Sequence, residues 1–255
     1  MHPVPCHEFS GVIEEIAPDV EGLKKGDEVF GLNNWFRDGA AAEYCITTPS
    51  EIAPKPTTID HVQAAVIPIS GLTAWQALFD HGNLQAGHKV LIQGGAGGVG
   101  TLAIQLGVWK GAFVVTTVSE ANIRFVQELG ANEIIDYRKT RFEEVVTDAD
   151  VVLDLVGGDT LRRSFGAIKQ GGRVITIATS FESTNDPKVK DAFFIVESNR
   201  QQLVELAKLI ERGVLRSIVS KVLPIDAAAQ AYLLAEKTSP GKSVLRLFNL
   251  TMQYS

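Results

Sequence analysis

Glycines at a fixed spacing dominate the middle of the chain, in the segment KVLIQGGAGGVG from Lys89 to Gly100. Gly95, Gly97 and Gly100 form the pattern G-x-G-x-x-G. A short apolar run precedes them, which is typical of a buried parallel strand, and a helical repeat of apolar residues follows from Val99. A strand, a tight glycine turn and a helix start are the context in which this pattern binds the pyrophosphate of a dinucleotide.

Each glycine has a predicted physical role. Gly95 permits the sharp turn, Gly97 lets a pyrophosphate approach the backbone, and Gly100 lets the helix pack against the strand. The N–H groups at the helix start, from Gly98 and Val99 onward, then face the diphosphate together with the positive end of the helix dipole. The alternative is a turn that serves packing alone, because glycine turns between strands and helices are common.

Strands and helices alternate on both sides of this loop. A parallel sheet covered by helices on both faces is the simplest arrangement of such a pattern, and its ligands bind at the carboxyl ends of the strands. The predicted fold class is therefore α/β, with a doubly wound parallel sheet. Its further strands are predicted at Ala112–Thr117, Glu133–Ile135, Val151–Leu155, Gly172–Ala178 and Ala192–Val196, with a helix at Ser119–Leu129.

The two ends of the chain have a different character. The first sixty residues contain short strand patterns broken by prolines, which favours a small barrel, at Phe9–Ala17, Glu28–Gly31, Ala42–Thr47 and Ile52–Ala53. A helix begins after a predicted cap at Asp60 and breaks near Pro68. Later segments are predicted as a polar loop at Phe181–Lys190, helices at Asn199–Arg212 and Asp226–Glu236, and a strand at Val244–Phe248.

Composition limits the function classes. A net charge of −6 without a cluster of Lys and Arg argues against a nucleic-acid partner. The only cysteines, Cys6 and Cys45, are far apart, which excludes a disulfide framework and a cysteine-rich zinc site. No apolar run is long enough to span a bilayer, and the N-terminus lacks a signal-peptide pattern. A cytoplasmic protein without a membrane partner is expected.

Nine segments, in one order, resemble the medium-chain dehydrogenase/reductase superfamily, in its zinc-independent quinone oxidoreductase branch. They are HEFSGVI at His7, LKKGDEVFG at Leu23, AAAEYC at Ala40, ISGLTAWQAL at Ile69, VLIQGGAGGVG at Val90, LGANEIIDY at Leu129, GGRVITIA at Gly171, LIERGVLR at Leu209 and SPGKSVLRL at Ser239. The resemblance implies a truncated GroES-like barrel in residues 1–59, a Rossmann dinucleotide-binding domain in 60–224, and a helix and strand that return to the barrel in 225–255. Several strands that usually precede His7 in the family are absent from this sequence, and we expect exposed strand edges as a result.

The resemblance also bears on metal binding. In the zinc-dependent relatives, a cysteine near the absent strands, a histidine matching His7 and a cysteine matching Ile69 hold the catalytic zinc. Only His7 is retained, and one histidine does not provide the three protein ligands of a catalytic zinc site. No metal is predicted, and His7 is expected to be a structural histidine with its hydrogen bonds satisfied.

Cofactor choice depends on the end of the second strand. NAD-specific domains carry an acidic residue there, whereas the matching positions here are Val118 and Ser119. Ser119 can donate to a 2′-phosphate and Arg124 can pair with it, which favours NADPH, while the neighbouring Glu120 argues against it. A solvated Arg124 on a helix surface is the alternative. Tyr137 matches the family's tyrosine near the adenosine.

At the nicotinamide end, the resemblance points to strand-end and loop positions: Thr73, Val156, Ala178, Phe194 and Val196. The implied reaction is hydride transfer from NADPH to a quinone or an α,β-unsaturated carbonyl, and no residue is identified as the proton donor. The alternatives are an NADPH-binding redox sensor or partner-binding protein without catalysis, and a scaffold use of the barrel. A homodimer through the Ala192–Val196 edge is also predicted, although these apolar residues can equally be core.

Overall fold

The computed structural model describes residues 4–178, 185–229 and 239–247. The chain forms two compact units, which we call the terminal unit (residues 1–72 and 197–255) and the sheet unit (residues 73–196). Residues 60–72 and 197–224, which the sequence prediction included in the Rossmann domain, group with the terminal unit.

The sheet unit contains the predicted parallel sheet, in the strand order β6-β5-β4-β7-β8. Branched apolar side chains fill both faces of the central strands, as expected for a sheet covered by helices. The chain runs outward from β4 to β6 on one side and returns to place β7 on the other side of β4. The sheet order thus reverses between β4 and β7, and the carboxyl edge at this point, which we call the crevice, is where doubly wound sheets bind ligands. The strands are β4 (Lys89–Gln93), β5 (Phe113–Val118), β6 (Glu133–Asp136), β7 (Ala149–Asp154) and β8 (Ile168–Thr176).

Helices connect these strands. The longest of them is α3 (Gly98–Lys110), which begins after the glycine loop with Gly97 as its N-cap. Its C-cap is Gly111, whose φ of 81° is in the left-handed region that glycine tolerates. A π-helical turn at Gln76–His81 continues α2 into the sheet unit. The helices are α2 (Pro68–Trp75), α3 (Gly98–Lys110), α4 (Ile123–Glu128), α5 (Phe142–Val145), α6 (Gly158–Ser164) and α7 (Pro187–Ala192).

The terminal unit combines short strands with two helices. Strands β1 (Glu8–Val12), β2 (Glu28–Leu32) and β3 (Ile52–Pro54) form an antiparallel sheet, and β9 (Val219–Pro224) pairs in parallel with β10 (Lys242–Arg246). Helix α1 (His61–Ala65) starts at the predicted cap, because the Asp60 carboxylate accepts from the Gln63 N–H at 2.7 Å. Helix α8 (Arg200–Glu211) is held to β3 by Arg200, which donates to the carbonyl of Ile52 at 2.8 Å.

Two strands predicted in the terminal unit are wrong: one is shorter than predicted, and the other does not form. The strand predicted at Phe9–Ala17 ends at Val12, because its partner β2 begins opposite at Glu28 after a turn. The segment Ala42–Thr47 contains no strand. Its apolar side chains face solvent, with Tyr44 73% and Ile46 80% exposed, and no strand in the described part of the chain lies beside it to pair with its backbone.

The predicted sixth strand of the sheet, Ala192–Val196, is also wrong. Asp186 caps α7 and Pro187 occupies its first turn, which fixes the start of the helix, and the helix runs through Ala192. Beyond it, only Phe193 forms an isolated parallel bridge with Thr176. The apolar alternation is real, because Phe194 and Val196 are buried and Ile195 is exposed, but it belongs to an extended segment without a strand ladder.

Three other predictions lie partly outside the described residues. The polar loop predicted at Phe181–Lys190 is wrong from Pro187 onward, where α7 begins. Only the beginning of the helix predicted at Asp226–Glu236 is described, and it includes a 3₁₀ turn at Ile225–Ala227. The strand predicted at Val244–Phe248 overlaps β10 as far as Arg246.

Candidate dinucleotide-binding site

Three glycines shape the loop between β4 and α3. Gly94 has a φ of 79°, a conformation that side chains disfavour. A β-carbon on Gly95 would lie 2.1 Å from the Thr116 hydroxyl oxygen, and one on Gly100 would lie 2.4 Å from the Gly94 carbonyl oxygen. Gly100 thus lets α3 pack against the loop, as predicted, whereas the left-handed turn residue is Gly94, which lies outside the G-x-G-x-x-G pattern.

Gly97 differs from these glycines because space is open beside it. A β-carbon there would meet only the Gly94 carbonyl oxygen, at the ordinary contact distance of 3.5 Å. Gly97 is exposed and is the N-cap of α3, whose first turn contains no acidic side chain. The first N–H groups of a helix have no intrahelical acceptor and carry partial positive charge. This concave backbone surface therefore fits an anionic group such as a pyrophosphate.

The ends of β5 and β6 bring Ser119 and Tyr137 close together. These residues directly follow Val118 and Asp136, which are paired in the parallel register of the two strands. The Tyr137 side chain is exposed, and the Arg138 guanidinium lies 5.7 Å from the centre of its ring. The structure thus places a hydroxyl, an accessible aromatic ring and a cation at one edge of the sheet, beside the glycine loop.

Arg124 does not join this group. It lies on α4 with its side chain 92% exposed, and its Nε donates to Glu128 one turn later at 3.2 Å. Lys139 does contact the turn that follows Ser119, because its Nζ lies 2.9 Å from a carboxylate oxygen of Glu120. Sequence reasoning missed Lys139, since the turn that directs it toward Glu120 is a tertiary feature.

On the other side of the crevice, Val156 follows β7 and Ala178 follows β8. Both residues are exposed, as a ligand-facing edge requires. Beneath them, the Asp154 carboxylate is fully buried, and this burial raises the pKa of Asp154 above its usual value. Hydrogen bonds from the Thr176 hydroxyl and from the N–H groups of Gly157 and Val156 oppose that shift by favouring the ionised form.

The other predicted nicotinamide contacts have buried side chains. Thr73 is buried in α2, and Phe194 and Val196 are buried after α7. The Phe194 ring packs on His81 with their centres 4.5 Å apart. The side chains of these three residues are therefore not open to a ligand in this structure.

Sequence reasoning also missed buried polar residues at the strand ends. Gln93, Thr117, Asp154 and Thr176 end or nearly end their strands. The sequence contained a signal for one of them, Asp154 in VVLDL. A carboxylate in an apolar strand needs hydrogen-bond partners, which predicts polar groups around it.

His7 departs from its expected role. Its ring packs on Trp35 with centres 4.9 Å apart, and its buried Nδ1 has no hydrogen-bond partner among the described residues. Within the same residues, no three His, Cys, Asp or Glu side chains cluster closely enough to hold a metal ion. Nor does any described helix combine the length and apolar character needed to cross a membrane.

Comparisons with known proteins give consistent matches. A family model of alcohol dehydrogenase GroES-like domains matches residues 1–57, and one of zinc-binding dehydrogenases matches residues 129–245. A probable mitochondrial zinc-binding oxidoreductase of Arthroderma benhamiae is 31% identical over 96% of this chain and 80% of its own length. A chloroplastic NADPH-dependent alkenal/one oxidoreductase of Arabidopsis thaliana is 32% identical over 95% of this chain and 63% of its own. The solved quinone oxidoreductase of Coxiella burnetii superposes with a TM-score of 0.88, at 32% identity, over 97% of this chain and 80% of its own.

Proposed function

Because this chain belongs to the medium-chain dehydrogenase/reductase superfamily, in its quinone oxidoreductase branch, we propose that it is an NADPH-dependent reductase of quinones or α,β-unsaturated carbonyls. The observation that carries the proposal is the open glycine cradle at the start of α3, located where the strand order of the sheet reverses. That position is the ligand crevice of doubly wound sheets.

The residues of this chain divide the binding work along the sheet edge. The amides at Gly97, Gly98 and Val99 bind the pyrophosphate, and Ser119 and Tyr137 hold the adenosine end. Backbone groups at Val156 and Ala178 orient the nicotinamide, whose bound form supplies the hydride. The exclusion of water and the fixed geometry of these loops are the protein's contributions to the reaction.

Charges near Ser119 support NADPH over NADH. A carboxylate at the end of β5 would repel a 2′-phosphate, but Val118 and Ser119 occupy the positions where NAD-specific domains carry one. The nearby Glu120 carboxylate is paired with Lys139. Ser119 and the two exposed cations Arg138 and Lys139 can therefore bind the 2′-phosphate.

Zinc has no step in the proposed mechanism, although one matching family model is described as zinc-binding. The reason is the donor set: Ile69 stands where zinc-dependent relatives have a cysteine, which leaves His7 without the other ligands of such a site. Measuring zinc in the purified protein by elemental analysis tests this choice, and one equivalent of bound zinc would contradict it.

The proposal is tested by titrating the protein with NADPH and with NADH while following cofactor fluorescence. We expect saturable NADPH binding, weaker NADH binding, and oxidation of NADPH when quinones or enones are added. Gly97→Ala should abolish binding, because the new methyl group occupies the pyrophosphate position. Gly11→Ala is the matched control, since a β-carbon there meets nothing within 4 Å.

Two other outcomes would change the proposal. NADPH binding without turnover of any quinone or enone would favour the non-catalytic redox sensor. Failure of the folded protein to bind NADPH would remove the oxidoreductase assignment itself.

Oligomeric state and location stay predictions. Residues Phe193–Val196 are extended without a strand ladder within the chain, and the homodimer through the Ala192–Val196 edge stays a prediction. Light scattering at micromolar concentration tests the dimer, and fractionation of the source cells tests the cytoplasmic location.

A further inference from the structure

Four buried polar side chains form a continuous row beneath the crevice, which we call the polar row: Thr117, Gln93, Asp154 and Thr176. The parallel register pairs Gln93 with Thr117 on one side and with Asp154 on the other, and pairs Asp154 with Thr176. The row therefore crosses the point where the strand order reverses. Burying a polar group costs free energy unless the group makes hydrogen bonds, so the hydrogen bonds of these side chains indicate their role.

Asp154 uses both carboxylate oxygens to hold the loop that follows its own strand. The Gly157 N–H lies 3.0 Å from Oδ2 and 3.2 Å from Oδ1, and the Val156 N–H donates to Oδ1 at 3.4 Å. Gly157 has a φ of 78°, so the loop turns through a conformation that most residues disfavour. The carboxylate thus fixes the backbone at Val156, one of the two exposed loop ends.

Thr176 extends the same support to the other loop. Its hydroxyl donates to Asp154 Oδ2 at 2.8 Å and accepts from the Ala178 N–H at 3.2 Å. A hydroxyl has one proton, so donation to the carboxylate leaves its oxygen lone pairs to receive the Ala178 amide. Two side chains thereby connect the loop after β7 with the loop after β8.

We propose that Asp154 and Thr176 form a brace that positions the loops after β7 and β8 for the nicotinamide half of the dinucleotide. The proposal rests on the proposed function, because it assigns that half of the ligand to Val156 and Ala178. Both residues of the brace act through the backbone of these loops, which makes them positioning residues. Ser119 follows β5, which is two strands away from β7 in the sheet, so we expect the adenine half to depend little on the brace.

Thr176→Val tests the brace because it preserves the side-chain shape and removes the hydroxyl. A lost hydrogen bond is typically worth about 0.5–1.5 kcal/mol, so we expect the Kd for NADPH to rise roughly 3- to 10-fold. The Kd for 2′,5′-ADP, which has the adenine half and no nicotinamide, should stay within about twofold. Thr176→Ser, which restores the hydroxyl, should recover NADPH binding.

A second measurement needs no ligand. Amide hydrogen exchange should accelerate at Gly157 and Ala178 in Thr176→Val and return toward the wild-type rate in Thr176→Ser. Ser164→Ala is the control for loss of a buried hydroxyl in the same unit, because Ser164 donates only to the Thr160 carbonyl within α6, at 2.9 Å. It should change neither exchange in the two loops nor the ratio of the two dissociation constants.

The two proposals fail in different ways. Unchanged exchange at Gly157 and Ala178 in Thr176→Val would overturn the brace even if NADPH binds normally. Equal loss of NADPH and 2′,5′-ADP would also overturn it, because it would show a general rather than a nicotinamide-specific effect. If the wild-type protein binds neither ligand while exchange responds as expected, the proposed function fails and the brace stands as a link between the two loops.

Discussion

Gly100 and Gly94 are packed against each other so closely that a β-carbon on Gly100 would lie 2.4 Å from the Gly94 carbonyl oxygen. The same hypothetical atom on Gly97 would lie 3.5 Å from that oxygen. The two glycines belong to one motif but meet different demands. Gly100 is required by the close packing of the loop, whereas the space at Gly97 is open, as the proposed pyrophosphate contact requires.

Gly100→Ala should therefore destabilise the protein. Inserting a methyl group into a closely packed contact typically costs about 1–3 kcal/mol, and here the obstructing atoms are backbone atoms of Gly94 and Gly95. Urea unfolding should show a lower midpoint than in the wild type, while Gly97→Ala and Gly11→Ala should stay much closer to the wild-type value. An unchanged midpoint for Gly100→Ala would show that the loop is not packed against α3 as described.

Lys139→Ala should reduce the preference for NADPH over NADH. Removal of this cation leaves Glu120 without its partner near Ser119, so repulsion of the 2′-phosphate should increase. We expect roughly a 1.5- to 5-fold loss in the ratio of the two affinities, the range for one solvent-exposed charge pair. Parallel fluorescence titrations with NADPH and NADH provide the measurement.

Arg124→Ala is the matched comparison for Lys139→Ala. Its guanidinium is paired along α4 with Glu128, so we expect a change of less than about twofold in the same ratio. The reverse order, with Arg124 more important than Lys139, would restore Arg124 as the partner of the 2′-phosphate.

Asp150→Asn should show a pH-dependent loss of stability. Burial opposes ionisation of Asp150, but Lys169, the Lys89 N–H and His88 outweigh it and hold its pKa below the usual value. Because the folded-state pKa is lower than the unfolded one, ionised Asp150 stabilises the fold above about pH 4. This stabilisation is lost as the pH falls below that value and the carboxylate becomes protonated.

The measurement is the difference in unfolding free energy between wild type and Asp150→Asn. We expect about 1 kcal/mol at pH 7 and a smaller difference near pH 3. Asp148→Asn is the control, because Asp148 is exposed and its pairing with Lys89 at 2.7 Å is open to solvent. A difference that is constant with pH would show that the Asp150 charge does not contribute.

Local patterns were sufficient for much of the architecture. The apolar runs and glycine turns correctly placed the five strands of the parallel sheet, and Asp60 was identified as a helix cap. These features depend on nearest neighbours: side-chain periodicity, a capping carboxylate, and glycine where the backbone turns sharply. The spacing of Gly95, Gly97 and Gly100 likewise predicted the loop and its position at the sheet edge.

Strand pairing was not predictable in the same way. Ala42–Thr47 and Ala192–Val196 have strand-like sequences, yet a strand forms only where a neighbour supplies hydrogen bonds to its backbone. The first has no such neighbour in the described part of the chain. The second follows α7, which begins after its N-cap Asp186 and runs through Ala192. It meets β8 only at the end of that strand, where Phe193 bridges Thr176 and the Phe194 N–H donates to the Thr176 carbonyl at 3.3 Å.

The sequence by itself determined the fold class, the glycine cradle and the family. Only the tertiary structure revealed that Gly94 makes the left-handed turn, that Arg124 pairs along its own helix, and that Asp154 and Thr176 join two loops. The last contact joins residues 22 positions apart in the chain. Parallel register pairs these two residues, and register is a relation between two strands that the pattern of either strand alone does not specify.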